Sequence, residues 1–163
     1  MMILALSLVF SAQSAGPVNL MTVVSKPALT KLFKGLAVRD TTDTVAGEEW
    51  QTYSVYKGAE ELLQISPCDG GPLGKICLVY SRSRQARTSD GVHPGDSYKK
   101  SAKKLVSCSA GFEKDNRKVL CQSAGAQNVT VVLADPKSEV EGEVPKDLSA
   151  FHVEELRWIP PTE

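Results

Sequence analysis

The segment Cys108-Ser-Ala-Gly-Phe-Glu-Lys-Asp-Asn-Arg-Lys-Val-Leu-Cys121 decides how this chain is read. Its centre, Glu113 to Arg117, is polar and carries Asp115 and Asn116, whose side chains bond nearby backbone and favour turns. Its flanks are small or apolar and end on two cysteines. The pattern is a hairpin with cysteines facing each other across it. Lys118 to Gln122 forms the return strand. Asn128 to Ala134, with its β-branched Val-Thr-Val-Val core, forms the next, and Gly125 lies in the turn between them.

Further strands lie on either side. Glu49 to Tyr56 alternates, Lys57-Gly58 supplies a turn, and Glu61 to Ser66 returns. Ile76 to Ser81 has a continuous apolar centre, the mark of a buried central strand. Phe151 to Ile159 alternates around Val153, Leu156 and Trp158 and closes the domain before Pro160-Pro161. Residues 36–46 read as an irregular strand or loop. Two helices are expected. Ser25 caps the first, which carries Pro27 in its first turn and ends near Gly35. Asp96 or Ser97 opens the second, over 97–105, with Tyr98, Ala102 and Leu105 toward the sheet. The fold class is therefore α+β: a mostly antiparallel β-sheet with one or two short helices.

Length and composition set bounds. The chain has 163 residues, 42% hydrophobic and 23% charged, which suits one globular domain. Formal net charge is zero, so no bulk electrostatic pull toward nucleic acid or membrane operates. Met1 to Phe10 is an apolar run too short to span a bilayer, and Ala12 and Ser14 sit at the −3 and −1 spacing of a cleavage site after Ser14, with cleavage after Ala15 the competing choice. Residues 1–15 thus read as a secretory signal peptide, although no Lys or Arg precedes the run, and residues 16–163 as the mature domain. The alternative is a buried N-terminal strand or helix. No cysteine follows the run to carry a lipid anchor. The implied location is periplasmic or secreted.

In such a compartment the four cysteines form disulfides. Three connectivities are open. The turn-rich interval between Cys68 and Cys77, and the polar one between Cys108 and Cys121, favour two local bridges. No metal or cofactor is implied, because no Cys-x-x-Cys occurs and neither histidine lies at zinc-ligand spacing from a cysteine. No catalytic set emerges either. His93 and His152 have no adjacent nucleophile motif, and Gly-x-Ser-x-Gly is absent. Charge is segregated, with residues 75–104 basic and residues 135–155 acidic. Arg82, Arg84 and Arg87 mark a candidate surface for an anionic partner, and Asp115, Asn116 and Arg117 mark a second candidate on the hairpin loop.

Several of these residues together resemble a known family. Gly91-Val92 and Gly95 before a helix, Cys108, Asp115-Asn116-Arg117, Val119 and Cys121 are similar to the YfeY-like bacterial envelope family. Gly125, Gln127, Pro145, Asp147, Leu148, Val153 and Trp158 continue the likeness, which lies mainly over residues 88–159. The resemblance implies a domain of unknown function, known in enterobacteria as an outer-membrane lipoprotein under envelope-stress control, and brings no catalytic residues. It implies a Cys108–Cys121 bridge, which leaves Cys68 for Cys77. The chain departs from the family in lacking a lipobox cysteine. The expected role is non-enzymatic: binding or supporting another envelope protein or an anionic envelope component. A secreted inhibitor of an enzyme such as lysozyme is the alternative. A hydrolase using His93 or His152 ranks behind both.

Overall fold

A computed structural model describes residues 6–68, 75–138, 140 and 142–161. Residues 69–74 of the first cysteine loop lie outside that range, as do residues 1–5 and the acidic Glu139 and Glu141.

Among the described residues, two sheets enclose the core. The larger has eight strands, and all its pairings are antiparallel. The smaller contains β1 (Leu8–Phe10), β2 (Ser14–Ala15) and β3 (Val18–Asn19). Helix α1 (Lys26–Leu32) follows, capped by the Ser25 side chain, which accepts from the Ala28 N–H as the sequence predicts. The large sheet begins with β4 (Ala37–Val45), β5 (Glu48–Lys57), β6 (Glu60–Pro67) and β7 (Ile76–Ser81). The chain then crosses to β8 (Ala86–Thr88), which joins the small sheet parallel to β1. After α2 (Tyr98–Ser101), β9 (Leu105–Ala110), β10 (Lys118–Ser123), β11 (Ala126–Ala134) and β12 (His152–Trp158) complete the large sheet. Its order is β4-β5-β6-β7-β12-β11-β10-β9.

Register sorts the side chains. The cross-strand row Tyr53–Ile65–Val79–Trp158–Val129 is buried and apolar. One residue along, the row Ser54–Gln64–Tyr80–Arg157–Thr130–Gln122 is polar. Successive side chains on a strand point to opposite faces, so the first row faces the core and the second the opposite face. Leu8 and Phe10 of the small sheet and Leu29 and Phe33 around α1 belong to the same core cluster as the apolar row.

Leu8–Phe10 forms a strand with Phe10 fully buried, and Ala15 is buried in β2, so the apolar run at the N-terminus takes part in the small sheet. One expectation is made definite and one is corrected. Residues 36–46 contain a nine-residue strand, β4, joined to β5 through Ala46 and Gly47, both at positive φ. The helix expected over 97–105 keeps the Ser97 cap but gives way to a 3₁₀ turn at Ala102–Lys104, and Leu105 already belongs to β9. Cys108 has to lie on a strand opposite Cys121, which leaves too few residues for a longer helix.

Both cysteine pairs are bonded locally, Cys68 to Cys77 and Cys108 to Cys121. The first ties the end of β6 to β7, and the second ties β9 to β10.

Candidate functional site: an ion-paired cavity on the polar face

The polar row is joined by side-chain hydrogen bonds. Tyr80 donates its hydroxyl to Gln64 Oε1, Gln64 Nε2 donates to Thr52 Oγ1 at 3.0 Å, and Thr52 and Thr41 share a hydroxyl bond of 2.5 Å. Tyr80, Gln64 and Thr52 sit on interior strands, where an unpaired polar group would carry its full desolvation cost.

Beside that chain lies a cluster of charges. Arg157 on β12 donates through both terminal nitrogens to Asp115, at 2.8 Å each, in a planar two-point contact. Its Nε donates to Glu155 Oε1 at 2.5 Å. The other oxygen of Glu155 accepts from Arg82 Nε at 2.9 Å. Lys118 completes the set, 3.3 Å from Glu154 and 3.9 Å from Asp115. Asp115 reaches this cluster because the loop between β9 and β10 folds into a 3₁₀ turn, Glu113–Asp115. The turn closes onto Gly111, where any Cβ would collide with the Asp115 carbonyl oxygen.

The cluster opens into a cavity of about 200 Å³ lined by Tyr80, Arg82, Lys114, Lys118, Asp115 and Arg157, with Asp43, Leu78 and Glu155. Asp115, Arg157 and Tyr80 are fixed in charge. The Arg157 bond holds the Asp115 carboxyl below the usual carboxylate range, although burial acts the other way. Burial opposes the charge on Arg157, but Asp115 and Glu155 more than offset it and keep the guanidinium protonated. Burial, followed by the nearby Glu155 carboxylate, pushes the Tyr80 phenol far above its ordinary value. Tyr80 is therefore a neutral donor rather than a base, and Asp115 is an acceptor rather than an acid. Such a set can hold a charged ligand by hydrogen bonds, and proton transfer is not its natural chemistry.

Two of the six residues singled out in the sequence, Arg82 and Asp115, meet at this cavity. The other four do not line it. Arg84 lies beside Gly95, and its backbone carbonyl accepts from His93 Nδ1 at 3.1 Å. Arg87 is exposed on β8 opposite Val9. Asn116 and Arg117 are exposed beyond the 3₁₀ turn. His93 and His152 are also absent from the lining. Sequence reasoning missed Asp43, Tyr80, Lys114, Lys118, Glu155 and Arg157. The usable signal was Glu155 and Arg157 falling opposite Leu156 and Trp158 on a strand too apolar to be an edge. Among the described residues, no group of three or more His, Cys, Asp and Glu is placed to hold a metal ion.

Comparison with known proteins places the chain. The family model described as Protein of unknown function (DUF1131) matches residues 2–159. The chain belongs to the DUF1131 family. The match extends well upstream of residues 88–159, where the YfeY-like resemblance is concentrated, and takes in β1 to β3. Among solved structures, the DUF1131 chain is similar to the uncharacterized protein YfeY from Escherichia coli, with a TM-score of 0.71 and 22% identity. That match covers 92% of this chain and 98% of the other, and it shows a shared fold. No curated protein matches.

Proposed function

We propose that this DUF1131 protein is an exported, non-enzymatic binding protein of the cell envelope, and that the cavity on the polar face seats an anionic group of its partner. The observation that carries the reading is the state of the cations at the rim. Arg82 spends only its Nε on Glu155, and its side chain stays 59% exposed. Lys114 is exposed and, among the described residues, takes part in no ion pair. The buried Glu155 holds the Arg82 guanidinium by that bond, which lowers the ordering cost of binding at Arg82. Export is supported by the two disulfides, which persist in oxidising compartments. No helix among the described residues is long and apolar enough to cross a membrane.

Titration of ¹⁵N-labelled protein with inorganic phosphate and with glycerol 3-phosphate tests the seat. Shifts are expected around Arg82, Lys114 and Lys118, and Arg82→Ala/Lys114→Ala should remove them while leaving the rest of the spectrum in place. An unperturbed cavity at millimolar ligand would end the proposal.

A second reading, an inhibitor of an envelope-degrading enzyme such as lysozyme, is favoured by one observation. Phe112 is 75% exposed on the loop that the Cys108–Cys121 bridge braces. A rigid loop presenting an aromatic side chain suits insertion into a cleft. Unchanged lysozyme turnover with excess protein would count against it.

A further inference from the structure

The cavity on the polar face contains an acid that the ion-paired cluster does not use. Asp43 on β4 lines it, half-buried, and among the described residues takes part in no ion pair. Its place follows from register. Thr41 ends the hydrogen-bonded row that starts at Tyr80, and Asp43 stands two residues further along the same face of β4. No described neighbour balances the carboxylate. Trp50, directly opposite on β5, leaves its buried Nε1 without a partner. Arg39, the other charge on that face of the strand, lies over the Tyr56 ring at 4.3 Å. Arg82 turns its Nε to Glu155. The one hydrogen bond Asp43 accepts, among the described residues, comes from the N–H of adjacent Thr44 at 2.9 Å.

The cavity therefore offers a ligand two opposite charges from separate parts of the fold. Arg82 follows β7 and Lys114 lies in the β9–β10 loop, whereas Asp43 comes from β4, two strands away from β7. The Asp43 carboxylate is felt inside: after burial and Glu155, it is a further cause of the raised Tyr80 phenol. A purely anionic ligand would set like charge against Asp43 in a space partly shielded from water. A ligand with an ammonium a few bonds from its anionic group turns that repulsion into a charge-assisted hydrogen bond. A hydroxyl would bond the carboxylate and leave its charge unbalanced. The cavity, at about 200 Å³, has room for about six waters at about 30 Å³ each, so space remains beyond a single anionic group.

We infer that the cavity selects a small zwitterion, seating a phosphate or carboxylate at Arg82 and Lys114 and an ammonium at Asp43. This deepens the reading of the cavity as an anion seat and rests on it. Calorimetric titration of the full, disulfide-intact chain at neutral pH tests it with probes matched in pairs. Ethyl phosphate and O-phosphoethanolamine differ by one ammonium, as do propionate and β-alanine. The zwitterion of at least one pair should bind about tenfold more tightly than its partner, and the pair with the wider gap names the anionic group. Asp43→Asn keeps an oxygen for the Thr44 N–H and should close the gap, weakening the zwitterion and tightening the simple anion. Lys114→Ala should instead weaken both members of a pair alike. A ¹⁵N spectrum unchanged away from the substituted residue reports an intact fold in each variant. Simple anions that bind as tightly as their zwitterions, or a gap that survives Asp43→Asn, would overturn the inference and leave the anion seat standing. Failure of all four probes to bind would remove the seat, and the inference with it.

Discussion

Deleting residues 2–15, or replacing Phe10 by Ala, tests whether the N-terminal segment is required by the folded domain. Phe10 is fully buried and Leu8 nearly so. β1 also pairs along β8, and the Ser89 N–H donates to the Phe10 carbonyl at 3.1 Å. Truncating a buried Phe to Ala costs about 3–5 kcal/mol and a buried Leu about 2–5 kcal/mol. Loss of both side chains therefore removes about 5–10 kcal/mol, against a total stability of about 5–15 kcal/mol for a typical domain. The deletion should leave no cooperative transition. Phe10→Ala alone should keep the fold and lower the melting temperature by about 6–20 °C, at about 2–4 °C per kcal/mol for a chain of this size. Thermal unfolding followed by circular dichroism, with disulfides intact, reads both. If residues 16–163 alone unfold cooperatively within a degree or two of the whole chain, β1 and β2 are dispensable and the domain begins at residue 16.

Three further outcomes follow from the site and the bridges. Asp115→Ala leaves Arg157 with Glu155 as its remaining partner and should cost about 2–4 kcal/mol in urea unfolding, whereas Arg82→Ala, whose side chain is largely in water, should cost under about 1 kcal/mol. The folded Asp115 carboxyl titrates below its unfolded value, so its contribution is full above the ordinary carboxylate range and disappears as pH falls through the folded value. The melting-temperature gap between wild type and Asp115→Asn should shrink below about pH 4, and a gap that persists into strong acid would contradict the pairing. Opening the Cys108–Cys121 bridge as the double serine variant should cost about 3 kcal/mol, read by chemical denaturation, for its separation of 13 residues. A loss near zero would mean that the β9–β10 loop is already ordered without it.

What the sequence made legible follows from what each element needs. The strands flanking the second cysteine pair, and the hairpin after Glu49, carry alternating or continuous apolar residues because they wall the core. β4 was hard to read because it is an edge: Arg39, Asp40, Thr41, Thr42 and Asp43 pair with one neighbour only, and charge there discourages pairing with another chain. The second helix was read too long because Leu105 suits a helix face and a strand equally, and only the pairing of Ser123 with Leu105 decides between them. The site was half legible. Arg82 and Asp115 stood out as charges next to structural punctuation. Glu155 and Arg157 resembled the solvent face of an ordinary strand. That β12 lies between β7 and β11, and that Asp115 reaches Arg157 from 42 residues away, are facts of topology that no local pattern carries.

The same topology bears on why the charges are there. A buried ion pair is a poor way to gain stability, since hydrophobic residues of similar volume do as well or better in the same place. The opposite face of this sheet has that option: the row one residue along from Arg157 is apolar and closes the core. The polar face instead keeps a two-point guanidinium–carboxylate contact and a Glu155 shared by two arginines, with one of those arginines reaching water. Stability alone does not account for retaining that arrangement beside a cavity. Fixing the orientation of Arg82 and neighbouring donors before a ligand arrives does, because side chains already held by their neighbours lose less entropy on binding.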